Sequence, residues 1–68
     1  MTKNIYEVHF LYARTSDGWA VWCCNMATAD NAEQVREHYA KYEKVMVIDS
    51  NDGELKTAER KGMPITRL

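Results

Sequence analysis

The chain has 68 residues, of which 46% are apolar and 28% are charged, and its formal net charge is −1. A chain of this length forms at most one small domain, and its apolar content excludes an intrinsically disordered protein. The charge balance excludes a surface that is basic overall, as nucleic-acid-binding proteins usually have. No apolar stretch approaches the roughly 20 residues of a membrane helix, and no signal peptide is visible. We therefore expect a soluble cytoplasmic protein with no membrane contact.

The first half of the chain predicts a β-hairpin. Residues 5–14 alternate between apolar and polar side chains, and residues 19–26 form a second run of strand-forming residues. A three-residue turn over 16–18, with Gly18 in a left-handed bulged conformation, gathers the apolar side chains of both strands on one face. We prefer it to a two-residue turn for that reason. The predicted pairs are then Tyr12 with Trp22, Phe10 with Cys24, and Val8 with Met26.

A helix and a further strand are predicted after the hairpin. Apolar side chains recur at three- and four-residue intervals and predict a helix at about 29–42, capped by Thr28 or Asp30. Residues 44–49 read KVMVID, which predicts a strand that is apolar on both faces and central in its sheet.

The C-terminal third predicts a turn followed by short extended segments. A turn at 51–53 leads into a short strand over 54–58. Residues 60–68 then form either a loose basic tail or a short edge strand. The predicted fold is a single α+β domain over 1–68 in the order β-β-α-β-β. It has two layers, with one helix packed on one face of a mostly antiparallel sheet.

No pattern in the sequence indicates catalysis, a metal site or a cofactor. The adjacent cysteines, Cys23 and Cys24, point to opposite faces of a strand, so they do not form a disulfide with each other. His9, Cys23 and Asn25 share a face of the predicted hairpin and suggest a nucleophile, but an open sheet face offers no oxyanion hole. The two cysteines with His9 and His38 lack the spacing of structural zinc sites. We expect a protein that is not an enzyme and that binds no metal ion.

The predicted binding surface is the sheet face that the helix leaves uncovered. Exposed apolar side chains with a charged rim are typical of protein-binding sites. The alternative is that residues 63–68 fold over this face. The candidate contact residues for a protein partner are Trp19, Leu11, Val21, His9, Glu7 and Arg14.

A second interpretation uses the cations near the C-terminus to bind nucleic acid. Arg60, Lys61 and Arg67 follow the acidic middle of the chain and could contact phosphate groups. Aromatic residues that could stack on bases are not interleaved with them. A protein partner therefore remains the preferred prediction.

The order of the predicted elements resembles that of small phage-encoded inhibitors, such as anti-CRISPR proteins and phage inhibitors of host polymerase. The hairpin at 6–26, the helix at 29–42 and the strand at 45–49 carry this resemblance, which is one of size and layout without a shared motif. It implies a non-enzymatic protein that occupies the surface of a host complex in the host cytosol. A homodimer formed through the same face is compatible with it.

Overall fold

The computed structural model describes residues 3–68 as a four-stranded sheet with two helices. The sheet has the order β3-β1-β2-β4, in which β1 is antiparallel to both neighbours and β4 is parallel to β2. This confirms the predicted small α+β domain with a mostly antiparallel sheet. The predicted central position of the strand at 44–49 is wrong, because β3 lies at an edge and pairs only with β1. The elements are β1 (Asn4–Arg14), β2 (Ala20–Ala29), α1 (Ala32–His38), β3 (Val45–Asp49), α2 (Asp52–Arg60) and β4 (Ile65–Arg67).

The turn between β1 and β2 has the predicted three-residue form. Gly18 has a φ of 88°, which a residue with a side chain rarely adopts. Its N–H donates to the carbonyl of Thr15 at 2.9 Å, and the Thr15 N–H donates to the carbonyl of Trp19 at 2.9 Å. Next to the turn the predicted register holds, with Arg14 opposite Ala20.

A β-bulge then shifts the register of the hairpin by one residue. The bulge lies between Leu11 and Ala13, so that Tyr12 has no partner on β2 and the predicted pair of Tyr12 with Trp22 is wrong. Beyond it, the predicted pairs of Phe10 with Cys24 and Val8 with Met26 are wrong, because β2 is displaced by the extra residue in β1. Since side chains alternate along a strand, this shift exchanges the faces of the β2 side chains. The observed pairs are Leu11 with Trp22, Phe10 with Cys23, His9 with Cys24, and Val8 with Asn25.

The core lies between α1 and one face of the sheet. Val8 and Val35 are fully buried there, and the Phe10 ring centroid lies 4.5 Å from that of Tyr42 and 5.1 Å from that of Tyr39. Each large apolar side chain buried in this way contributes about 1.5–3 kcal/mol. The buried cluster comprises Tyr6, Val8, Phe10, Ala27, Ala29, Val35 and Tyr39.

Helix α1 is shorter than the predicted 29–42 at both ends: β2 continues to Ala29, and the helix ends at His38 with Tyr39 as its C-cap. The N-cap is Asn31 rather than Thr28 or Asp30, since its side chain accepts a hydrogen bond from the Gln34 N–H at 2.9 Å. Thr28 is buried within β2 instead.

The short strand predicted over 54–58 is wrong, because this segment lies in α2. Asn51 caps the helix by accepting a hydrogen bond from the Glu54 N–H at 3.0 Å, and Asp52 and Glu54 lie in its first turn. Asn-Asp-Gly therefore begins a helix here rather than forming a hairpin turn. Carboxylates in the first turn stabilise a helix, because its N-terminus carries partial positive charge. Neither helix of the described residues has the length and apolar character of a membrane span.

The C-terminal residues extend the sheet rather than covering it. Strand β4 pairs with 26–28 of β2 and forms an edge, which is one of the two predicted alternatives. Arg67 lies opposite Thr28 and pairs with Glu59 of α2 at 3.5 Å. Thr66 contacts the Tyr39 hydroxyl on the α1 side of the sheet. Because side chains alternate along a strand, Arg67 and its partner helix α2 lie on the opposite side.

Candidate functional site

The distal part of the β1–β2 hairpin extends beyond the rest of the sheet. Strand β3 pairs only with residues 6–10 of β1, and β4 pairs only with 26–28 of β2. Residues 12–22, here called the hairpin arm, are all exposed. This arm makes the molecule elongated, with extents of 44 × 26 × 15 Å.

The hairpin arm carries three exposed aromatic side chains. Trp19 is 74% exposed, Tyr12 is 61% exposed and Trp22 is 47% exposed. Val21 is exposed beside them and, as the neighbour of Trp22 in β2, points to the other face of the ribbon. The arm therefore presents apolar side chains on both faces, which is the composition of a surface that binds another macromolecule.

The charges on the arm are few and balanced. Arg14 and Asp17 are its two charged residues. The Arg14 guanidinium lies 3.7 Å from the Glu43 carboxylate, so part of its charge is compensated. The arm has no excess of positive charge to attract a phosphate backbone.

Leu11, which the sequence assigns to the same binding surface, is buried. It is only 4% exposed, so the prediction that it lies uncovered is wrong. Leu11 lies on the central strand, where Trp22 is its neighbour on β2 and its N–H donates to the Lys44 carbonyl at 2.9 Å. Neighbours on both sides of a central strand cover a side chain that an isolated hairpin would expose.

The two remaining predicted contact residues, Glu7 and His9, belong to a separate cluster with Cys24 at the base of the hairpin. His9 Nε2 lies 2.6 Å from Glu7 Oε1. Cys24 Sγ lies 3.7 Å from the same oxygen and 3.9 Å from His9 Nε2. All three side chains are half-buried on the face opposite to α1. We call Glu7, His9 and Cys24 the three-residue cluster.

Burial and the Glu7 carboxylate both act on the Cys24 thiol. Partial burial raises the pKa of the Cys24 thiol, and the negative charge of Glu7 and its hydrogen bond from Sγ raise it further. The thiol is therefore held in its neutral form, which is a poor nucleophile.

The prediction that Cys23 shares a face with His9 is wrong, because Cys24 does so instead. Cys23 packs against the α1 core, and Asn25 donates a hydrogen bond to the Tyr39 hydroxyl at 3.1 Å on that same side. The predicted set of His9, Cys23 and Asn25 is therefore not assembled. Three consecutive large apolar residues at 10–12 interrupt the alternation of β1, and this was the available signal for the bulge.

The face around the three-residue cluster is apolar on the β3 side. Met46 lies opposite His9 and Ile48 lies opposite Glu7, and both are exposed. Met26, which is buried, lies opposite Glu7 on β2. Apolar side chains therefore flank the polar three-residue cluster on both neighbouring strands.

The three candidate phosphate-binding cations belong to two elements of the fold. Arg60 and Lys61 end α2, whereas Arg67 lies on β4 and pairs with Glu59. Arg60 also donates a hydrogen bond to Thr57 at 3.4 Å.

Comparisons with protein families, with curated proteins and with solved structures find no match to this chain.

Proposed function

We propose that the chain is a non-enzymatic protein-binding module that docks on its partner through the hairpin arm. The observation that carries this proposal is the exposure of Trp19, Trp22 and Tyr12 on a ribbon that projects from the domain. Tryptophan and tyrosine are the residues that most often anchor protein interfaces, because each buries a large area with few rotatable bonds.

The backbone of the arm supports the same mode of binding. Strand β4 pairs with β2 only from Met26 onward, so residues 20–25 form an open strand edge within the described part of the chain. An open edge can accept a strand of a partner through main-chain hydrogen bonds, while the flanking side chains provide specificity. The arm therefore offers both aromatic anchors and a backbone template.

The charge of the arm favours a protein over a nucleic acid as partner. Arg14 and Asp17 balance each other, whereas binding to a phosphate backbone requires several lysine or arginine residues on one surface. The layout of the chain resembles that of small phage-encoded inhibitors. In line with this resemblance, the proposed protein blocks a host complex by occupying its surface.

Substitution of the two exposed tryptophans tests the proposal. We expect Trp19→Ala combined with Trp22→Ala to abolish capture of a specific partner from host lysate, because the anchors are removed. Met46→Ala is the matched control, since Met46 is an exposed apolar residue of β3 outside the arm. Equal partner capture by the double variant and the wild-type chain, with the fold intact by circular dichroism, contradicts the proposal.

The same experiment separates other modes of association. Loss of binding in Arg60→Ala, Lys61→Ala and Arg67→Ala, together with a steep decrease in affinity at higher salt, identifies a nucleic-acid partner and contradicts the proposal. Concentration-dependent dimerisation that is lost in the tryptophan variant identifies a homodimer formed through the arm, which is the same surface with a second copy as its partner.

A further inference from the structure

We propose that the three-residue cluster of Glu7, His9 and Cys24 is a binding site for a divalent transition-metal ion of the zinc class. It is the one group in the described residues that brings at least three histidine, cysteine or carboxylate ligand atoms within 4.8 Å of one another. This site is separate from the hairpin arm, so its validity does not depend on the proposed docking surface.

The donor atoms match the ligand preferences of zinc. Zinc is held in proteins by cysteine sulfur, histidine nitrogen and carboxylate oxygen, and the cluster supplies one of each. Calcium and magnesium prefer sites in which all ligands are oxygen atoms, whereas only one of the three donors in this cluster is oxygen. The mixed soft and borderline donors therefore select a transition metal over the hard cations.

The separations between the donor atoms are close to those that a tetrahedral ion imposes. With zinc–ligand bonds of about 2.0–2.3 Å, tetrahedral donors lie about 3.3–3.6 Å apart. The sulfur of Cys24 lies 3.7 Å from the Glu7 oxygen and 3.9 Å from the His9 nitrogen. Only the Glu7–His9 separation, now a hydrogen bond of 2.6 Å, has to widen when an ion replaces the shared proton.

The backbone holds the three donors in place without an ion. Glu7 and His9 are two residues apart on the central strand β1, and Cys24 lies directly opposite His9 on β2. Sites built on paired strands are more precise than sites on loops. Because the side chains are only half-buried, a water molecule can complete the coordination from the open side.

Binding at this site is a balanced acid–base exchange. The Cys24 thiol releases its proton to solvent, and the resulting thiolate donates an electron pair to the ion. The proton between His9 Nε2 and Glu7 Oε1 leaves their hydrogen bond as the imidazole takes the tautomer whose single ring proton is on Nδ1. Nε2 then donates an electron pair to the ion, and the ionised Glu7 carboxylate donates one from Oε1. No oxidation or reduction takes place.

Titration of the reduced full-length chain with Zn²⁺ and with Co²⁺ tests the proposal. We expect one ion per chain by calorimetry, and with Co²⁺ a thiolate-to-metal charge-transfer band together with the visible spectrum of a tetrahedral ion. Cys24→Ser and His9→Ala should each weaken binding by at least about tenfold, since loss of even an outer-shell partner often costs 10–100-fold. Glu7→Gln should also lower the affinity for the ion.

The adjacent cysteine provides a matched control. Cys23→Ser removes a thiol one residue away but on the core side, so it should retain the affinity and the charge-transfer band. Equal weakening in Cys23→Ser and Cys24→Ser, binding of one ion by two chains, or no binding by the wild-type chain each overturns the proposal. Circular dichroism of every variant shows whether lost affinity reflects an unfolded chain, and His9→Gln provides a second variant if His9→Ala unfolds.

Discussion

His9 lies directly opposite Cys24 across the β1–β2 ladder, with 3.9 Å between the imidazole Nε2 and the thiol sulfur. This relationship depends on the bulge that leaves Tyr12 without a partner. In an unbroken ladder from the same turn, Asn25 would lie opposite His9 and Cys24 would face α1. One additional residue in β1 therefore determines which thiol joins Glu7 and His9.

Truncation of a buried aromatic residue should lower the free energy of unfolding far more than truncation of an exposed one. Phe10→Ala should destabilise the domain by about 3–5 kcal/mol, because it leaves a cavity beside Tyr39 and Tyr42. Trp19→Ala should change the free energy of unfolding by no more than about 0.5 kcal/mol, because its side chain is 74% exposed. Urea denaturation of both variants measures the difference. A Trp19→Ala variant as unstable as Phe10→Ala would show that the indole is packed.

The capping function of Asn51 predicts a specific loss of helix. Asn51→Ala should cost about 1 kcal/mol, because the Glu54 N–H loses its acceptor at the start of α2. Asn51→Asp keeps an acceptor oxygen and should retain most of the stability. Thermal unfolding followed by far-ultraviolet circular dichroism compares the two. If 54–58 formed a strand, alanine and aspartate at this position would not differ in helix content.

The raised pKa of Cys24 predicts a loss of stability in alkaline solution. Burial and the Glu7 charge make the folded chain hold the thiol proton more tightly than the unfolded chain, whose thiol has the usual pKa of 9.0. The stabilising contribution is therefore complete below pH 9.0 and is lost as the pH rises through the higher folded value. Wild-type chain should lose more stability than Cys24→Ser over this range, measured by urea denaturation with a chelator and a reductant present. Parallel pH profiles for the two chains would contradict this expectation.

The Glu7 carboxylate should also control the reactivity of the Cys24 thiol. In a Cys23→Ser background, Glu7→Gln removes the negative charge and should lower the pKa of Cys24 toward its usual value, so more thiolate is present at mildly alkaline pH. Alkylation by iodoacetamide, followed by mass spectrometry, should then be faster. Glu43→Gln is the control, because Glu43 pairs with Arg14 and lies outside the cluster. Unchanged alkylation after Glu7→Gln would exclude this electrostatic coupling.

Local sequence signals predicted the elements whose determinants are local. The turn with Gly18, the two hairpin strands, a helix containing Val35 and the strand at 45–49 all follow from turn chemistry and periodicity. The segment 54–58 was assigned incorrectly because Asn-Asp-Gly suits both a hairpin turn and a helix N-terminus. Only the continuation of the chain into α2 distinguishes these two uses.

The candidate sites were less predictable because they depend on relationships between strands. Leu11 is buried and has a second neighbour outside the hairpin, because its N–H donates to the Lys44 carbonyl just before β3. Periodicity within a hairpin carries no such information. The meeting of Glu7 and His9 with Cys24 depends on the bulge between Leu11 and Ala13, and the alternation of residues along a strand does not by itself show where an extra residue is inserted. The exposure of Trp19 and Val21 was predictable from the sequence, because both residues lie close to the turn.

The bulge at Tyr12 also marks a change in how the hairpin is supported. On the base side the ladder is flanked by β3, β4 and α1, whereas on the arm side the two strands pair only with each other, and Arg14 contacts Glu43. A two-stranded ribbon without further strands or a helix is only marginally stable. The part of the molecule that carries the exposed tryptophans is therefore also the part that a bound partner would stabilise most.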